Sequence, residues 1–444
     1  MKRSALMTTG LAPGALLLGV SVSFGVWIVS ANVSLQGIPS VAPTVGGALA
    51  VITFYGALLV ATAVGSVMGE AVAPSRRLSR ASWTTVYLRL SLVAMAGVAL
   101  TYLLATKGSI EVLIDLIRTQ QFNRLRSEVP LSAGLSTLRY ATIPAGGMAL
   151  YRVVHERRAS WLEVGNIVAL LLASAFSSRL TLVAATAVGV YLLWADPSRR
   201  GASGPTGRRS SRRSRRRIIR LVLLGLLAML ALNYIRNANY YRTVEGTSNP
   251  VTMLRDEVIR YVSVPARVGV GVEQSDSMSS LSGRGQLDSF AGIAHYAKPS
   301  YATADKTDGT PSDGTEAYRD VVDVAPSLTT NSVLAEAAGT LGGASVPILA
   351  TLLLLAAMLC SHFARYRSPA VVVAPIIAYG FLELWRIWLF NTGILHFAVL
   401  AILLLCWTST PARRDLFPGW SHVNGTTPLR TNRPRVPEVS TTDS

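Results

Sequence analysis

Long apolar blocks recur along this chain, and shorter polar segments separate them. A helix needs about 20 apolar residues to cross about 30 Å of hydrocarbon, and most blocks approach that length. The pattern predicts an all-α fold, a polytopic transmembrane helical bundle of about ten spans. The ten predicted spans are residues 10–33, 45–69, 84–106, 134–152, 160–177, 180–197, 218–235, 333–360, 369–391 and 394–409.

The composition agrees with a membrane protein. Half of the 444 residues are hydrophobic, 15% are charged, and the mean hydropathy is +0.40. A soluble domain carries about a quarter charged residues, so a single water-soluble core is excluded. The two cysteines, Cys360 and Cys406, stand in separate apolar blocks, which excludes an external disulfide framework and a CxxC metal site.

The basic residues orient the predicted spans. With Lys2 and Arg3 inside, every strongly basic connection falls on one side of the membrane, as the positive-inside rule requires. The densest run, 208–217, accounts for much of the formal charge of +18 and predicts a cytosolic loop over 198–217. We therefore expect contact with membrane lipid rather than nucleic acid, and a bacterial cytoplasmic membrane location with both termini cytosolic.

The same rule divides one long apolar stretch into two spans. Arg157 and Arg158 precede the stretch 160–197 and the arginine run follows it, so the chain must cross an even number of times between them. This predicts a hairpin whose turn, Ser177-Ser178-Arg179, lies at the outer face.

Four regions follow from this topology. Residues 1–235 hold spans one to seven, 236–332 form a large extracytoplasmic loop, 333–409 hold spans eight to ten, and 410–444 form a disordered cytosolic tail. Within the loop, Asn249-Pro250 is a helix-start signal, and apolar residues recur at helical spacing until Pro265. A second short helix is predicted over 285–297.

Several arginines are predicted to meet the outer face. Arg179 lies in the hairpin turn, Arg236 and Arg242 follow span seven, and Arg386 lies near the outer end of span nine, with Glu383 as its expected intrahelical ion-pair partner. An arginine at membrane depth usually faces a cavity or a partner, and guanidinium binds phosphate through two parallel hydrogen bonds. These residues suit a lipid diphosphate, and snorkelling to head groups stays an alternative.

Candidate proton acceptors lie on the same predicted side. Glu336 stands where the chain re-enters the bilayer and fits either an ion pair or a general base. His295, with Asp288 seven residues earlier, fits proton removal from a sugar hydroxyl, although a loop histidine is usually only solvated. Arg260, followed by ten residues and then Gly271, matches an arginine–glycine spacing described for some polysaccharide polymerases.

These features resemble the bacterial oligosaccharide repeat-unit (O-antigen) polymerases. The resemblance spans nearly the whole chain as architecture but depends on short motifs, and it departs from the family in an unusually long arginine-rich loop and in lacking a second arginine–glycine match. The residues that carry it are Ser178-Arg179-Leu180, Arg236, Asn331, Ser332, Glu336 and Gly339.

The resemblance implies a glycosyltransferase that joins polyprenyl-diphosphate-linked glycans, with a chain-length regulator or a flippase as a candidate partner. Arg179, Arg236 and Arg242 would stabilise the departing diphosphate, and Glu336, Asp288 or His295 would be the base. No cofactor and no metal is expected, since arginine would replace the divalent ion. The tyrosines expected to stack on sugars are Tyr240, Tyr241, Tyr296 and Tyr301.

Three other functions remain open at this point. A ligase that moves finished glycan to another acceptor would share the architecture, and only the acceptor would differ. A secondary transporter or flippase would favour inverted repeats and a charged midplane site, and the sequence shows no such halves. A structural scaffold would need neither the arginines nor the long loop.

Overall fold

The fold is all-helical throughout the described part of the chain. The computed structural model describes residues 8–33, 41–109, 111–112, 114, 118, 135–155, 159–176, 180–195, 205–243, 246, 249–274 and 332–409. All of them belong to one compact unit that ends at Thr410, and no strand occurs among them. The predicted all-α class is confirmed; the predicted disordered tail lies outside these residues.

The helices coincide with the apolar blocks. In chain order they are α1 (Leu11–Val29), α2 (Val45–Ala71), α3 (Arg76–Ser79), α4 (Trp83–Ala105), α5 (Thr142–His155), α6 (Trp161–Phe176), α7 (Leu180–Ala195), α8 (Pro205–Thr243), α9 (Pro250–Gln274), α10 (Val333–Leu341), α11 (Ser345–Ala364), α12 (Val373–Leu382) and α13 (Gly393–Thr408). Short 3₁₀ turns cover Leu135–Ala141, Gly342–Ala344, Pro369–Val372 and Leu389–Asn391.

Four helical stretches in the described residues are long and apolar enough to cross a membrane: α1, α2, α4 and Gly342–Ala364. Shorter apolar helices, of 10–17 residues, correspond to α6, α7, α13 and Pro369–Leu382. The membrane class is thereby supported, and the count of ten spans stays a prediction.

Glycines hold α2 and α11 in close contact. A Cβ added at Gly65 or Gly69 would overlap the carbonyl of Leu354 or Met358, respectively. Small residues four apart let two helices approach until their backbones touch, which gains van der Waals contact without any hydrophobic driving force in lipid. A side chain at either position would therefore force α2 and α11 apart.

The hairpin predicted for residues 160–197 is confirmed as two separate helices. The helix α6 ends at Phe176, α7 begins at Leu180, and the two pack against each other and against α5. The turn with Arg179 lies outside the described residues. Glu163 caps the start of α6, since its carboxylate accepts from the backbone amide of Ser160 at 3.0 Å, and Arg152 of α5 forms an ion pair with the same carboxylate at 2.9 Å.

Two predicted spans end differently in the structure. The span predicted over 333–360 breaks at Gly342, whose φ of +54° is accessible mainly to glycine, and so becomes α10 and α11. The span predicted over 369–391 leaves helical geometry after Leu382, and α13 begins at Gly393. Residues 383–392 therefore form an irregular tip between α12 and α13.

The predicted end of the loop helix at Pro265 is wrong. The helix α9 starts at Pro250 as predicted, but it continues through Pro265 to Gln274. Proline has no amide hydrogen, so a helix that contains it lacks one backbone hydrogen bond. In the same turn, Ser23 of α1 donates its hydroxyl to the carbonyl of Val262 at 2.8 Å, and this contact from a neighbouring helix stabilises the turn.

Far from lying apart from the bundle, α9 packs into it. It contacts α1, α2, α8 and α10. A Cβ added at Gly47 of α2 would lie 2.4 Å from Cγ1 of Val270, so α9 packs closely against the start of α2. Gln274, the last residue of α9, donates to the carbonyl of Ala42 at 2.9 Å, so the helix ends beside the start of α2.

Candidate functional site

Two arginines of α9 are buried inside the bundle. Arg260 is 5% exposed and Arg267 is 1% exposed, and seven residues, about two helical turns, separate them. They therefore lie on one face of the helix. Arg267 donates from Nη2 to the carbonyl of Ser30 at the end of α1, at 2.6 Å. Burial of a guanidinium in an apolar bundle is unfavourable by several kcal/mol, so a protein keeps such a group where it holds structure or binds an anion.

Arg260 lies at the junction of α8 and α9. Its guanidinium carbon is 5.8 Å from the ring centroid of Tyr241, which is buried near the end of α8. The hydroxyl of Tyr241 donates to Glu257 at 2.6 Å. Tyr241, proposed from the sequence to stack on sugars, thus packs between α8 and α9.

The irregular tip between α12 and α13 carries a buried ion pair. Arg386 approaches Glu383 through Nε at 3.1 Å and through Nη2 at 3.0 Å, which confirms the pair expected from their spacing. The hydroxyl of Tyr379 donates to the other carboxylate oxygen at 2.9 Å. The guanidinium of Arg386 also lies 4.1 Å from the ring centroid of Tyr261, so the tip contacts α9 directly.

Glu336 lies in the first turn of α10, close to this tip. Its carboxylate is within electrostatic range of the hydroxyl of Tyr55, and that hydroxyl donates to the carbonyl of Trp385 at 3.4 Å. The start of α10 also touches α9, because a Cβ at Gly269 would lie 2.9 Å from the hydroxyl of Ser332. One acidic side chain, one ion-paired tip and the arginine helix α9 therefore border the same part of the bundle.

The other predicted site residues are placed only in part. Arg236 and Tyr240 lie on the last turns of α8, whose side chains there are outside the description. Arg242 is exposed and donates to Tyr234 of its own helix at 3.4 Å. The residues outside the described ranges are Arg179, Asp288, His295, Tyr296 and Tyr301.

Arg267 is the site residue that sequence reasoning missed. The predicted end of the helix at Pro265 placed it in an extracytoplasmic loop, where an arginine attracts no attention. The spacing of seven from Arg260 was the available signal, since it puts both on one helix face. Arg139, buried beside Tyr140 in the turn before α5, was missed as well.

In the described residues no group of three or more His, Cys, Asp or Glu side chains is arranged to hold a metal ion. No family model, no curated protein and no solved structure matches this chain. The interpretation of the candidate site therefore depends on its geometry alone.

Proposed function

We propose that this protein is a membrane glycosyltransferase that polymerises polyprenyl-diphosphate-linked oligosaccharide repeat units at the outer face of a bacterial cytoplasmic membrane. The observation that supports the proposal is the burial of Arg260 and Arg267 on one face of α9, inside a bundle with at least four membrane-length helical stretches. A lipid-linked diphosphate is an anion that reaches such a site from the bilayer, and arginine binds it through paired hydrogen bonds.

The reaction needs a positive environment and one base. The hydroxyl oxygen of the acceptor sugar attacks the anomeric carbon of the donor glycan, and the bond from that carbon to the diphosphate oxygen breaks. Polyprenyl diphosphate leaves with the electron pair, and its negative charge is stabilised by Arg260 and Arg267, which are held in place before the reaction. Glu336 takes the hydroxyl proton.

Arg386 has a different role in this proposal. Its ion pair with Glu383 neutralises it, so it is a weaker partner for a diphosphate than the two arginines of α9. Its contact with Tyr261 makes it a positioning residue, which holds α9 against the tip. The predicted ten spans, the external loop and the contributions of Arg179, Arg236 and Arg242 belong to the same proposal.

The test is reconstitution of the purified protein with lipid-linked repeat units, followed by gel separation of the glycans. We expect a ladder of products, and an Arg267→Gln variant should lose at least about a hundredfold in rate, the effect typical of removing one preorganised donor. The control is Arg216→Gln, an exposed arginine on α8.

Three outcomes would contradict the proposal. The first is a single added unit without a ladder, which indicates a ligase. The second is movement of the lipid-linked unit across the vesicle membrane without a new bond, which indicates a flippase. The third is equal loss of rate in Arg267→Gln and Arg216→Gln, which would remove the role of the buried arginine.

A further inference from the structure

At the end of the bundle opposite Ser30 and Ala42, α3, α4 and α13 meet around arginine and tryptophan. The guanidinium of Arg77 lies 3.7 Å from the ring centroid of Trp407, and Arg89 donates to the hydroxyl of Ser409 at 3.4 Å. The indole of Trp83 donates to the backbone carbonyl of Arg367 at 3.1 Å. We call Arg77, Arg89, Arg367, Trp83 and Trp407 the basic patch.

The position of Arg89 is unusual for a cation. It lies within the membrane-length helix α4, six residues after Trp83, and its side chain is exposed. The surface around it is apolar, since Leu92 of α4 is 60% exposed and Leu404 of α13 is 64% exposed. A surface with this exposure on membrane-length helices faces acyl chains, where an arginine is unfavourable unless it reaches water or an anion.

Arg77, Arg89 and Arg367 are all exposed. Arg365, beside the patch, donates to the carbonyl of Val72 at 2.7 Å and to that of Glu70. Arg77 and Arg89 both approach the end of α13, at Trp407 and Ser409, so their charges lie where the start of α4 meets the end of α13. The tryptophans beside them are typical of the head-group level.

We propose that the basic patch binds an anionic glycerophospholipid. The phosphodiester lies between the guanidinium groups of Arg77 and Arg89, and the acyl chains run along the exposed leucines of α4 and α13. A zwitterionic lipid fits less well, because its ammonium group would meet these two guanidinium groups. This binding site is separate from α9 and does not depend on the proposed glycosyltransferase activity.

The test is native mass spectrometry of the purified full-length protein, titrated with phosphatidylglycerol or phosphatidylcholine of identical acyl chains. Each surface arginine contributes on the order of a fivefold change in affinity for anionic lipid, so Arg77→Gln/Arg89→Gln should weaken phosphatidylglycerol binding about thirtyfold. The matched control, Lys107→Gln/Arg118→Gln, removes the same charge from exposed positions beyond the other end of α4 and should leave binding unchanged.

Two results would overturn the proposal. Equal affinity of the native protein for the two lipids would show that the site does not discriminate between head groups by their charge. Equal losses in the two double variants would show that the effect comes from net charge and not from the basic patch.

A second measurement keeps all arginines in place and so does not depend on whether the arginine variants fold. Brominated phosphatidylglycerol, added as a minor component to phosphatidylcholine micelles, quenches nearby tryptophan. The Trp83→Phe/Trp407→Phe protein should lose most of this quenching, and Trp161→Phe, which removes a highly exposed tryptophan on α6, should retain it. A larger loss in Trp161→Phe would contradict the assignment.

Discussion

The ion pair at the tip between α12 and α13 permits a quantitative test of how α9 is held. Glu383 and Arg386 are both buried, and the pair is completed by the hydroxyl of Tyr379. Removal of one member of a buried pair leaves an uncompensated charge and destabilises a protein by about 3–5 kcal/mol. We therefore expect Glu383→Gln and Arg386→Met each to lower the free energy of unfolding by about that amount.

The double variant should lose much less unfolding free energy than the sum of the losses in the two single variants. Glutamine at position 383 still offers an oxygen to Tyr379, and no charge remains, so the main loss is one amide group without an acceptor. That loss is about 1–3 kcal/mol, and the coupling energy between the two substitutions should be about 3 kcal/mol or more. Chemical unfolding of the purified protein in mixed micelles measures all three values.

The control is Arg216→Met, because Arg216 is an exposed arginine of α8. An exposed charge contributes about 0–1 kcal/mol, so this variant should unfold almost like the native protein. Additive effects of Glu383→Gln and Arg386→Met would refute the coupling. A loss below about 1 kcal/mol in either single variant would show that the charge is compensated elsewhere.

Two further predictions concern helix packing. Gly65→Ala should lower the free energy of unfolding by about 1–3 kcal/mol, because the added Cβ overlaps the carbonyl of Leu354. The control, Gly56→Ala on the same helix, places its Cβ in open space and should stabilise the protein by up to about 1 kcal/mol. Equal melting temperatures of the two variants would contradict this prediction. Ser23→Ala removes the hydroxyl that donates to the carbonyl of Val262 and should destabilise the protein by about 1–3 kcal/mol. The same unfolding assay measures this loss, and the control is Ser79→Ala, which removes an exposed hydroxyl on α3. An undiminished stability of Ser23→Ala would contradict a role of this bond in holding the turn at Pro265.

The positions of the helices were predictable because lipid imposes a simple rule on sequence. A segment that faces acyl chains must be apolar and must satisfy its own backbone, so each apolar block corresponds to a helix. The hairpin at 160–197 was predictable for a related reason, since basic residues fix the side on which each connection lies. The break at Gly342 was not, because a glycine inside an apolar run is equally compatible with a continuous helix.

The site was harder to predict than the fold. α9 carries arginine, aspartate and glutamate, so hydropathy assigned it to a loop, and Pro265 then shortened it. The contacts that stabilise it, such as Ser23 with Val262 and Arg267 with Ser30, join residues more than 200 positions apart, and one sequence holds no record of them. The pair of Glu383 and Arg386 was predictable because it is local.

The charged character of α9 has a consequence for how the protein is made. A segment with Arg260, Arg267, Asp256 and Glu257 does not partition into a bilayer by itself, because each charge adds about 2.5–3.5 kcal/mol to insertion at the centre of a helix. The helices α1, α2 and α8 precede α9 in the chain, so α9 enters against their surfaces rather than against bare lipid. Because α10 also contacts α9 and comes later in the chain, that side of α9 is covered only after α10 has been synthesised.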